Sequence, residues 1–411
     1  MKKPKIRFKG FTETWEQRKL GDVFKEYSEK NHGELPALTI VQGQGTIYRN
    51  ESERNLMYEK SNLSSYKMVR KNDFIVHLRS FEGGLEIATL DGIISPAYHT
   101  LHGDNTDSRF YYSYFRSYEF INHGLVPHVY GIRDGRSIDI AGMKTILIPY
   151  TSFDEQKKIG NYIETIDHLI TLHQRQCENL KKVKKFMLQK LFPQNGENVP
   201  KVRFSGFTDT WEQRKLDKIF ISLQNNTLSR SDLSNQEGIA YNIHYGDVLI
   251  KFNDVLNVSN EKIPMIKNIN ALKKFKSSHL QNGDIVVADT AEDETVGKCC
   301  EIQGITDEIV ISGLHTIPYR PLINFGDGYL GYYLNSNSYH HQLLPLMQGI
   351  KVTSISKSSL KDTSVLFPKQ ITEQEKIGSL FSKLDNLITL HQSKCDNLKE
   401  VKKYMLQNMF I

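Results

Sequence analysis

The residues of this chain that are best suited to chemistry lie in three turn-rich stretches, and their types favour binding over catalysis. The stretches span 77–80, 130–137 and 349–357, and each combines Arg or Lys with Ser, Thr or Gly. Arginine can donate two parallel hydrogen bonds to guanine, while lysine, serine and threonine suit phosphates and base edges. The predicted nucleic-acid contacts are Arg79, Ser80, Tyr130, Arg133, Arg136, Lys351, Thr353, Ser354 and Lys357. An ordinary surface turn would explain each of them equally well.

Signatures of catalysis and of cofactor binding are missing. The chain has no GxxxxGK[ST] phosphate loop, no HExxH metal site, no methyltransferase signature of an Asn or Asp followed by two prolines and an aromatic residue, and no glycine-rich dinucleotide turn. Clustered carboxylates beside a lysine could support a metal-dependent nuclease. The candidates are Asp284, Asp289, Glu292, Asp293, Glu294 and Lys298. We favour an acidic surface loop, because the other half of the chain has no counterpart, and we predict no catalytic, cofactor-binding or metal-binding residue.

Two histidine and cysteine pairs are spaced as metal ligands on a helix would be. His173 precedes Cys177 by four residues, and His391 precedes Cys395 by the same interval. Pairing of the two helices could assemble a site with two His and two Cys ligands. The same positions also fall on an apolar seam, where a polar residue can fix the register of paired helices. We favour the seam.

The elements that must position these residues occur twice along the chain. The segment from Pro4 to Leu20 returns nearly unchanged from Pro200 to Leu216. The helical segment from Asp154 to Phe192 returns from Thr372 to Phe410. A chain duplicated in this way acquires an approximate two-fold axis, which suits a target that is read at two places.

Each helical segment carries a heptad seam, in which apolar or semi-apolar residues recur at alternating steps of four and three. The first seam comprises Ile159, Ile163, Ile166, Ile170, His173, Cys177, Leu180, Lys184, Met187 and Leu191. The second comprises Ile377, Phe381, Leu384, Ile388, His391, Cys395, Leu398, Lys402, Met405 and Met409. Neither helix can bury this stripe alone. We therefore predict an antiparallel coiled coil of two helices, each on the order of 55 Å long.

The remaining sequence forms two bodies of mixed pattern. Short β-type runs such as 73–76 and 284–287 alternate with turns, and 110–115 and 329–334 each predict an aromatic-rich helix. We therefore predict an α+β fold with an internal pseudo-two-fold repeat. The predicted divisions are a first mixed α/β domain with its cap at 1–151, a helix at 152–192, a linker and second mixed domain at 193–371, and a helix at 372–411.

The length and composition of the chain limit the classes of protein to which it can belong. A chain of 411 residues suits two to three domains. The net charge of +6 mildly favours an acidic partner such as nucleic acid. The four cysteines follow no disulfide or CxxC spacing, and no apolar run approaches the roughly 18 residues of a membrane span. We predict a cytoplasmic protein with free thiols and no signal peptide.

Taken as a whole, this arrangement resembles the specificity subunit of type I restriction-modification enzymes. The caps carry part of the resemblance, since 15–20 and 211–216 both read Trp-Glu-Gln-Arg-Lys-Leu. The starts of the two helices carry the rest, with Glu-Gln-Lys-Lys-Ile at 155–159 and Glu-Gln-Glu-Lys-Ile at 373–377. The likeness follows the order of elements along the whole chain, and the combination is more specific than any single piece.

The resemblance implies two target recognition domains, each reading one half of a bipartite site in double-stranded DNA. It implies that the two helices act as a spacer and as a dock for two modification (methyltransferase) subunits, and that the chain itself is not a catalyst. S-adenosylmethionine, ATP and magnesium are then expected in the modification and restriction (translocase-endonuclease) subunits. Two other functions stay open: a single-chain DNA methyltransferase or nuclease, and a coiled-coil scaffold that binds only proteins.

Overall fold

The computed structural model describes residues 3–52, 60–131, 136–194, 196–267, 273–349 and 351–410. The chain folds into two compact units. Unit 1 comprises Met1–Gln174 with Gln392–Ile411, and unit 2 comprises Arg175–His391. Each unit combines a β-rich body with parts of two long helices, which confirms the predicted α+β class.

Two helices are far longer than the others in the described part of the chain. They are α5 (Phe153–Leu191) and α11 (Ile371–Met409), within one residue of the predicted segments. The short helices are α1 (Leu20–Val23), α2 (Ser80–Gly83), α3 (Ser108–Phe115), α4 (Ile140–Met143), α6 (Leu216–Ile219), α7 (Tyr245–Ile250), α8 (Tyr329–Asn335), α9 (Asn337–His340) and α10 (Lys357–Lys361). Helices α3 and α8 confirm the two predicted aromatic-rich helices.

Short strands build the body of unit 1. They are β1 (Glu16–Lys19), β2 (Lys25–Tyr27), β3 (Leu38–Val41), β4 (Gly45–Tyr48), β5 (Lys67–Val69), β6 (Phe74–Val76), β7 (Glu86–Ile87), β8 (Gly92–Ile94), β9 (His99–His102), β10 (Val129–Tyr130), β11 (Ser137–Ile138) and β12 (Leu147–Tyr150). The main sheet has the order β2-β9-β6-β7 and is antiparallel. The other pairs are β1-β12, β3-β4, β5-β8 and β10-β11.

Unit 2 repeats this plan with larger sheets. Its strands are β13 (Glu212–Lys215), β14 (Phe220–Ser222), β15 (Leu233–Ser234), β16 (Ala240–Ile243), β17 (Val255–Asn257), β18 (Met265–Ile266), β19 (Ile285–Ala288), β20 (Thr290–Ala291), β21 (Cys299–Gln303), β22 (Val310–Ser312), β23 (Thr316–Pro321), β24 (Thr353–Ser354) and β25 (Ser364–Phe367). The main sheet runs β14-β23-β19-β21-β17, and a second runs β15-β18-β16-β22. The remaining pairs are β13-β25 and β20-β24.

The repeated cap is a strand that closes each body against the start of a long helix. In unit 1, β1 pairs with β12 from Glu16 opposite Tyr150, and in unit 2, β13 pairs with β25 from Glu212 opposite Phe367. The strand before each long helix is thereby held to the start of its unit. This pairing explains why the cap and the helix start are repeated together.

A buried glutamate at the start of each long helix fixes the cap to that helix. Glu155 is fully buried and accepts hydrogen bonds from Arg7 Nε at 2.5 Å and Nη2 at 2.7 Å. Glu373 in unit 2 accepts the same pair of bonds from Arg203, at 2.7 and 2.8 Å. Two parallel charge-assisted bonds are directional and strong. The Glu-Gln motif at the helix starts is thus a structural anchor.

The long helices run antiparallel within each unit. In unit 1, Lys402 Nζ lies 2.5 Å from Asp167, while Cys395 packs in a cluster with Ile166 and Ile170. In unit 2, Lys184 Nζ lies 2.6 Å from Asp385, and Phe192 stacks on Phe381. Residues with higher numbers on α5 therefore contact residues with lower numbers on α11. The predicted seams are buried or half-buried throughout, which confirms the heptad prediction.

Among the described residues, no helix combines the length and the apolar character needed to cross a membrane.

Candidate nucleic-acid interface

The loop after strand β6 carries the first two predicted contact residues. Arg79 is exposed, and its backbone N–H donates to His77 Nδ1 at 3.2 Å. Burial, together with the nearby Arg116, lowers the pKa of His77 to about 4, so this ring is neutral and can accept that bond. Ser80 is fully buried, and its hydroxyl accepts the His77 N–H at 2.9 Å. Ser80 therefore shapes the loop, and Arg79 is the residue that faces solvent.

A small hairpin packs against this loop. Strand β10 pairs with β11, with Tyr130 opposite Ser137, and the Tyr130 side chain is 60% exposed. The Arg136 guanidinium lies over the Phe81 ring at 4.5 Å and contacts Glu82 at 3.3 Å. The tip of the hairpin, with Arg133, lies outside the described residues. We call the group Arg79, Tyr130 and Arg136 surface 1.

A second hairpin, closed by the antiparallel bridge between Gln348 and Ser354, occupies the corresponding place along the chain of unit 2. Strand β24 pairs with β20, with Ser354 opposite Thr290, and Gln348 and Ser354 exchange backbone hydrogen bonds at 2.8 and 2.9 Å. Lys351, Ser354 and Lys357 are exposed, and Thr353 is half-buried. We call the group Lys351, Thr353, Ser354 and Lys357 surface 2.

Both surfaces are held in the same way. Each hairpin contacts the segment that directly follows a central strand of the main sheet: α2 after β6 in unit 1, and β20 after β19 in unit 2. Among the described residues, the structure thus brings the predicted residues of each unit together on one edge of its body. Phe81 and Glu82, which support Arg136, were not among the residues predicted from the sequence, although they directly follow the predicted stretch 77–80.

The acidic cluster of unit 2 does not converge on a common point. Asp284 is buried and accepts two hydrogen bonds from Arg320, at 2.9 and 2.7 Å. The Lys298 ammonium donates to the carbonyl oxygens of Leu249 and Phe252 at 2.9 and 3.3 Å. The carboxylates of 292–294 are exposed. These contacts fit a structural role for Asp284 and Lys298 and a surface loop for the rest.

The His and Cys residues of the helical seam also have a structural placement. Cys177 and Cys395 are 4% and 2% exposed, as core residues of a coiled coil are. Within the residues that the structure describes, no group of three or more His, Cys, Asp or Glu side chains is placed to hold a metal ion. The structure therefore supports the seam interpretation of these positions.

Comparisons with known proteins agree with this architecture. Residues 208–400 match the model of the type I restriction modification DNA specificity domain. The type I restriction enzyme MjaVIII specificity subunit of Methanocaldococcus jannaschii is 23% identical over 96% of this chain and 91% of its own length. The putative MjaX specificity subunit of the same organism is 23% identical over 52% of this chain and 48% of its own.

A solved structure shows the same fold. The crystal structure of a type I restriction-modification S subunit from M. genitalium superposes with a TM-score of 0.59 and 14% identity, covering 100% of this chain and 99% of that one. Family model, aligned relative and fold thus agree. Residues 208–400 thus match the specificity-domain family model, and over its whole length the chain is similar in sequence to a type I restriction enzyme specificity subunit and in fold to an S subunit of these systems.

Proposed function

We propose that this chain reads a bipartite target in double-stranded DNA, with surface 1 contacting one half-site and surface 2 the other. The observation that carries the proposal is that one repeated fold presents a different set of basic and polar turn residues at the corresponding edge of each unit. Exposed Arg and Lys side chains supply contacts to phosphates and base edges. In this proposal the target recognition domains are 1–151 and 193–371, and buried Ser80 acts through the loop that presents Arg79.

The long helices offer two equivalent docking faces for modification subunits. On α5, Val183 and Phe186 are 43% and 51% exposed, and on α11, Val401 and Tyr404 are 41% and 57% exposed. Residues three apart share one helix face, and these faces are distinct from the buried seam. Exposed apolar side chains at repeated positions suit partner helices that bury them. The repeat of this face supports the binding of two modification subunits.

Cofactor chemistry is assigned to the partners in this proposal. The modification subunits would bind S-adenosylmethionine and transfer the methyl group, and the restriction subunits would use ATP and magnesium for translocation and cleavage. The role of this chain is to place those subunits on a chosen sequence. Its place of action is then the cytoplasm, where the DNA target lies.

The direct test is to purify the chain alone and with the modification subunit and to sequence the methylation pattern each produces. We expect sequence-specific adenine methylation from the complex and none from the isolated chain. Methyl transfer by the chain alone would contradict the assignment. A complex that shows no salt-dependent affinity for any DNA would favour a protein-only scaffold.

The docking faces are tested separately by Phe186→Ser and Tyr404→Ser. Each variant removes one exposed aromatic ring from one helix and leaves the seam intact. We expect each single variant to retain one modification subunit and the double variant to retain none, measured by native mass spectrometry. Full binding of two subunits by the double variant would place the docking site elsewhere.

A further inference from the structure

One residue beside surface 2 has an unusual backbone conformation. His315 has φ +53°, in the left-handed region. The other non-glycine residues with positive φ in the described chain are Asn31, Asn72 and Asn105, and asparagine tolerates this region best among non-glycine residues. Such conformations persist where the surroundings fix them, and they cluster at binding sites.

Three neighbours hold His315 in place. The Asp289 backbone N–H donates to the His315 carbonyl oxygen at 3.1 Å, and Asp289 Oδ1 lies 3.3 Å from His315 Nδ1. The Thr290 hydroxyl donates to Asp289 Oδ1 at 2.7 Å, which orients the carboxylate. The Tyr245 ring meets the imidazole edge to face at 5.3 Å. The ring is thus directed, although the side chain is 49% exposed.

The same contacts attach His315 to surface 2. The Asp289 carbonyl oxygen accepts the Ile355 N–H at 2.8 Å, and Thr290 lies opposite Ser354 in the β20-β24 pair. His315 therefore lies on the edge of unit 2 that carries the predicted contacts. It was not among the residues predicted from the sequence.

The hydrogen-bonding state of the ring indicates what it can contact. With Nδ1–H directed at Asp289, a neutral imidazole has Nε2 as an acceptor. In the described part of the chain, the hydrogen-bond contacts of this ring, to Asp289 Oδ1 at 3.3 Å and Thr290 Oγ1 at 3.4 Å, both involve Nδ1. The Asp289 carboxylate would offset the charge of a protonated ring, which weakens attraction to a phosphate. A fixed acceptor instead suits an amino group on a base edge, such as cytosine N4 or adenine N6.

We infer that His315 is a specificity-determining residue that contacts a base edge in the half-site read by unit 2, with Asp289 as its positioning residue. This inference rests on the proposed function. His315 adds a directional hydrogen-bond acceptor to surface 2, whose predicted residues carry ammonium and hydroxyl groups.

The test uses the complex with the modification subunit and the variants His315→Gly and His315→Asn. Both replacements accept a left-handed backbone, so the melting temperature should stay unchanged or rise. We expect about tenfold weaker specific binding and relaxed methylation at one position of one half-site. That half-site should be the one read by unit 2, which should stay unchanged when residues 21–151 of unit 1 are exchanged for those of a related specificity subunit. Asn105→Gly is the matched control, because Asn105 also has φ +53°, and it should leave the methylated motif unaltered.

The role of Asp289 is tested by comparing Asp289→Ala with Asp289→Asn. Asparagine keeps an oxygen that can accept from Nδ1–H, so it should preserve the specificity that alanine loses. An unchanged motif in both His315 variants would overturn the inference, as would equal weakening on all sequences. Absence of specific methylation by the unaltered complex would instead overturn the proposed function, and this inference with it.

Discussion

Unit 1 and unit 2 share one frame and differ in what the frame carries. The frame comprises the cap strand, the buried Arg–Glu anchor and the Lys–Asp pair between the long helices. Its anchor distances agree closely, at 2.5 and 2.7 Å in unit 1 and 2.7 and 2.8 Å in unit 2. The main sheets differ, with four described strands in unit 1 and five in unit 2. Buried, mutually dependent contacts restrict both copies to the same residues, whereas exposed turns can change at little cost in stability.

The two copies of the frame are nevertheless unequal in strength. Glu155 also accepts a hydrogen bond from Trp15 Nε1 at 2.9 Å, while the buried Trp211 Nε1 has no acceptor among the described residues. Lys184 is 17% exposed and contacts both Asp254 and Asp385, whereas Lys402 is 30% exposed and contacts Asp167. The anchor should therefore be stronger in unit 1 and the helix pair stronger in unit 2.

The largest effect is expected from breaking the anchor. Glu155→Ala leaves the Arg7 guanidinium, whose side chain is 13% exposed, without its buried carboxylate partner, which should lower the free energy of unfolding of unit 1 by about 3–5 kcal/mol. Glu373→Ala should cost unit 2 about 1 kcal/mol less, because no tryptophan hydrogen bond is lost there. Each unit has its own tryptophan, so denaturation followed by fluorescence in Trp211→Phe or Trp15→Phe backgrounds reports on one unit at a time. The exposed Glu16→Ala is the control, and equal losses at Glu155 and Glu16 would contradict the anchor.

Breaking the Lys–Asp pair between the long helices should destabilise unit 2 more than unit 1, the opposite of the order expected for the anchor. Lys184→Met removes the cation shared by Asp254 and Asp385 and should cost unit 2 about 2–3 kcal/mol, whereas Lys402→Met should cost unit 1 about 1 kcal/mol or less. Burial alone lowers the pKa of Lys184, but Asp254 and Asp385 outweigh it and the pKa is raised. This stabilisation is present below the pKa of an unfolded lysine, about 10.4, and is lost as pH rises above it. Denaturation midpoints from pH 7 to 11 should show the difference between Lys184→Met and the unaltered chain shrinking at alkaline pH; a constant difference would contradict the charge pairing.

Smaller effects are expected from the surfaces. Arg136→Ala should weaken specific DNA binding by about 1–3 kcal/mol and relax one position of the first half-site, if the guanidinium reads a base. Lys351→Ala should act on the second half-site, and Arg133→Ala is expected to behave as Arg136→Ala does. Arg214→Ala, an exposed arginine of a cap strand, is the control. Binding titrations at several salt concentrations distinguish the roles, since a phosphate contact would weaken all sequences alike and flatten the salt dependence.

The smallest effect on affinity is expected from lengthening a helix. Inserting four residues within 174–177 adds about 6 Å to α5, against about 3.4 Å per base pair of DNA. The half-sites should stay the same while the unread gap between them grows by one or two base pairs. The insertion shifts the heptad register, so helix content by circular dichroism must be checked first. A folded, active variant that methylates the original spacing would show that the helices are a dock and not a spacer.

The frame was more predictable from the sequence than the bodies were, for a physical reason. A heptad seam repeats over 33 residues in each long helix, and the bounds of α5 and α11 agree with the repeated segments 154–192 and 372–410 to within one residue. The pairing of β1 with β12 joins residues more than 100 positions apart, and no local pattern encodes it. The burial of Ser80 and the left-handed backbone of His315 depend on such distant contacts. A turn-rich sequence could indicate where the surfaces lie but not which side chains face solvent.

The central claim, that a fixed frame carries two independent readers, is tested most directly by exchanging one body. Residues 21–151 are replaced by the corresponding body of a related specificity subunit, and the methylated motif of the assembled complex is sequenced. Because the frame contacts at Arg7, Glu155 and Asp167 lie outside the exchanged segment, the chimera should fold. We expect one half-site to change to that of the relative while the other half-site and the gap stay the same. A change in both half-sites would contradict independent readout by the two units.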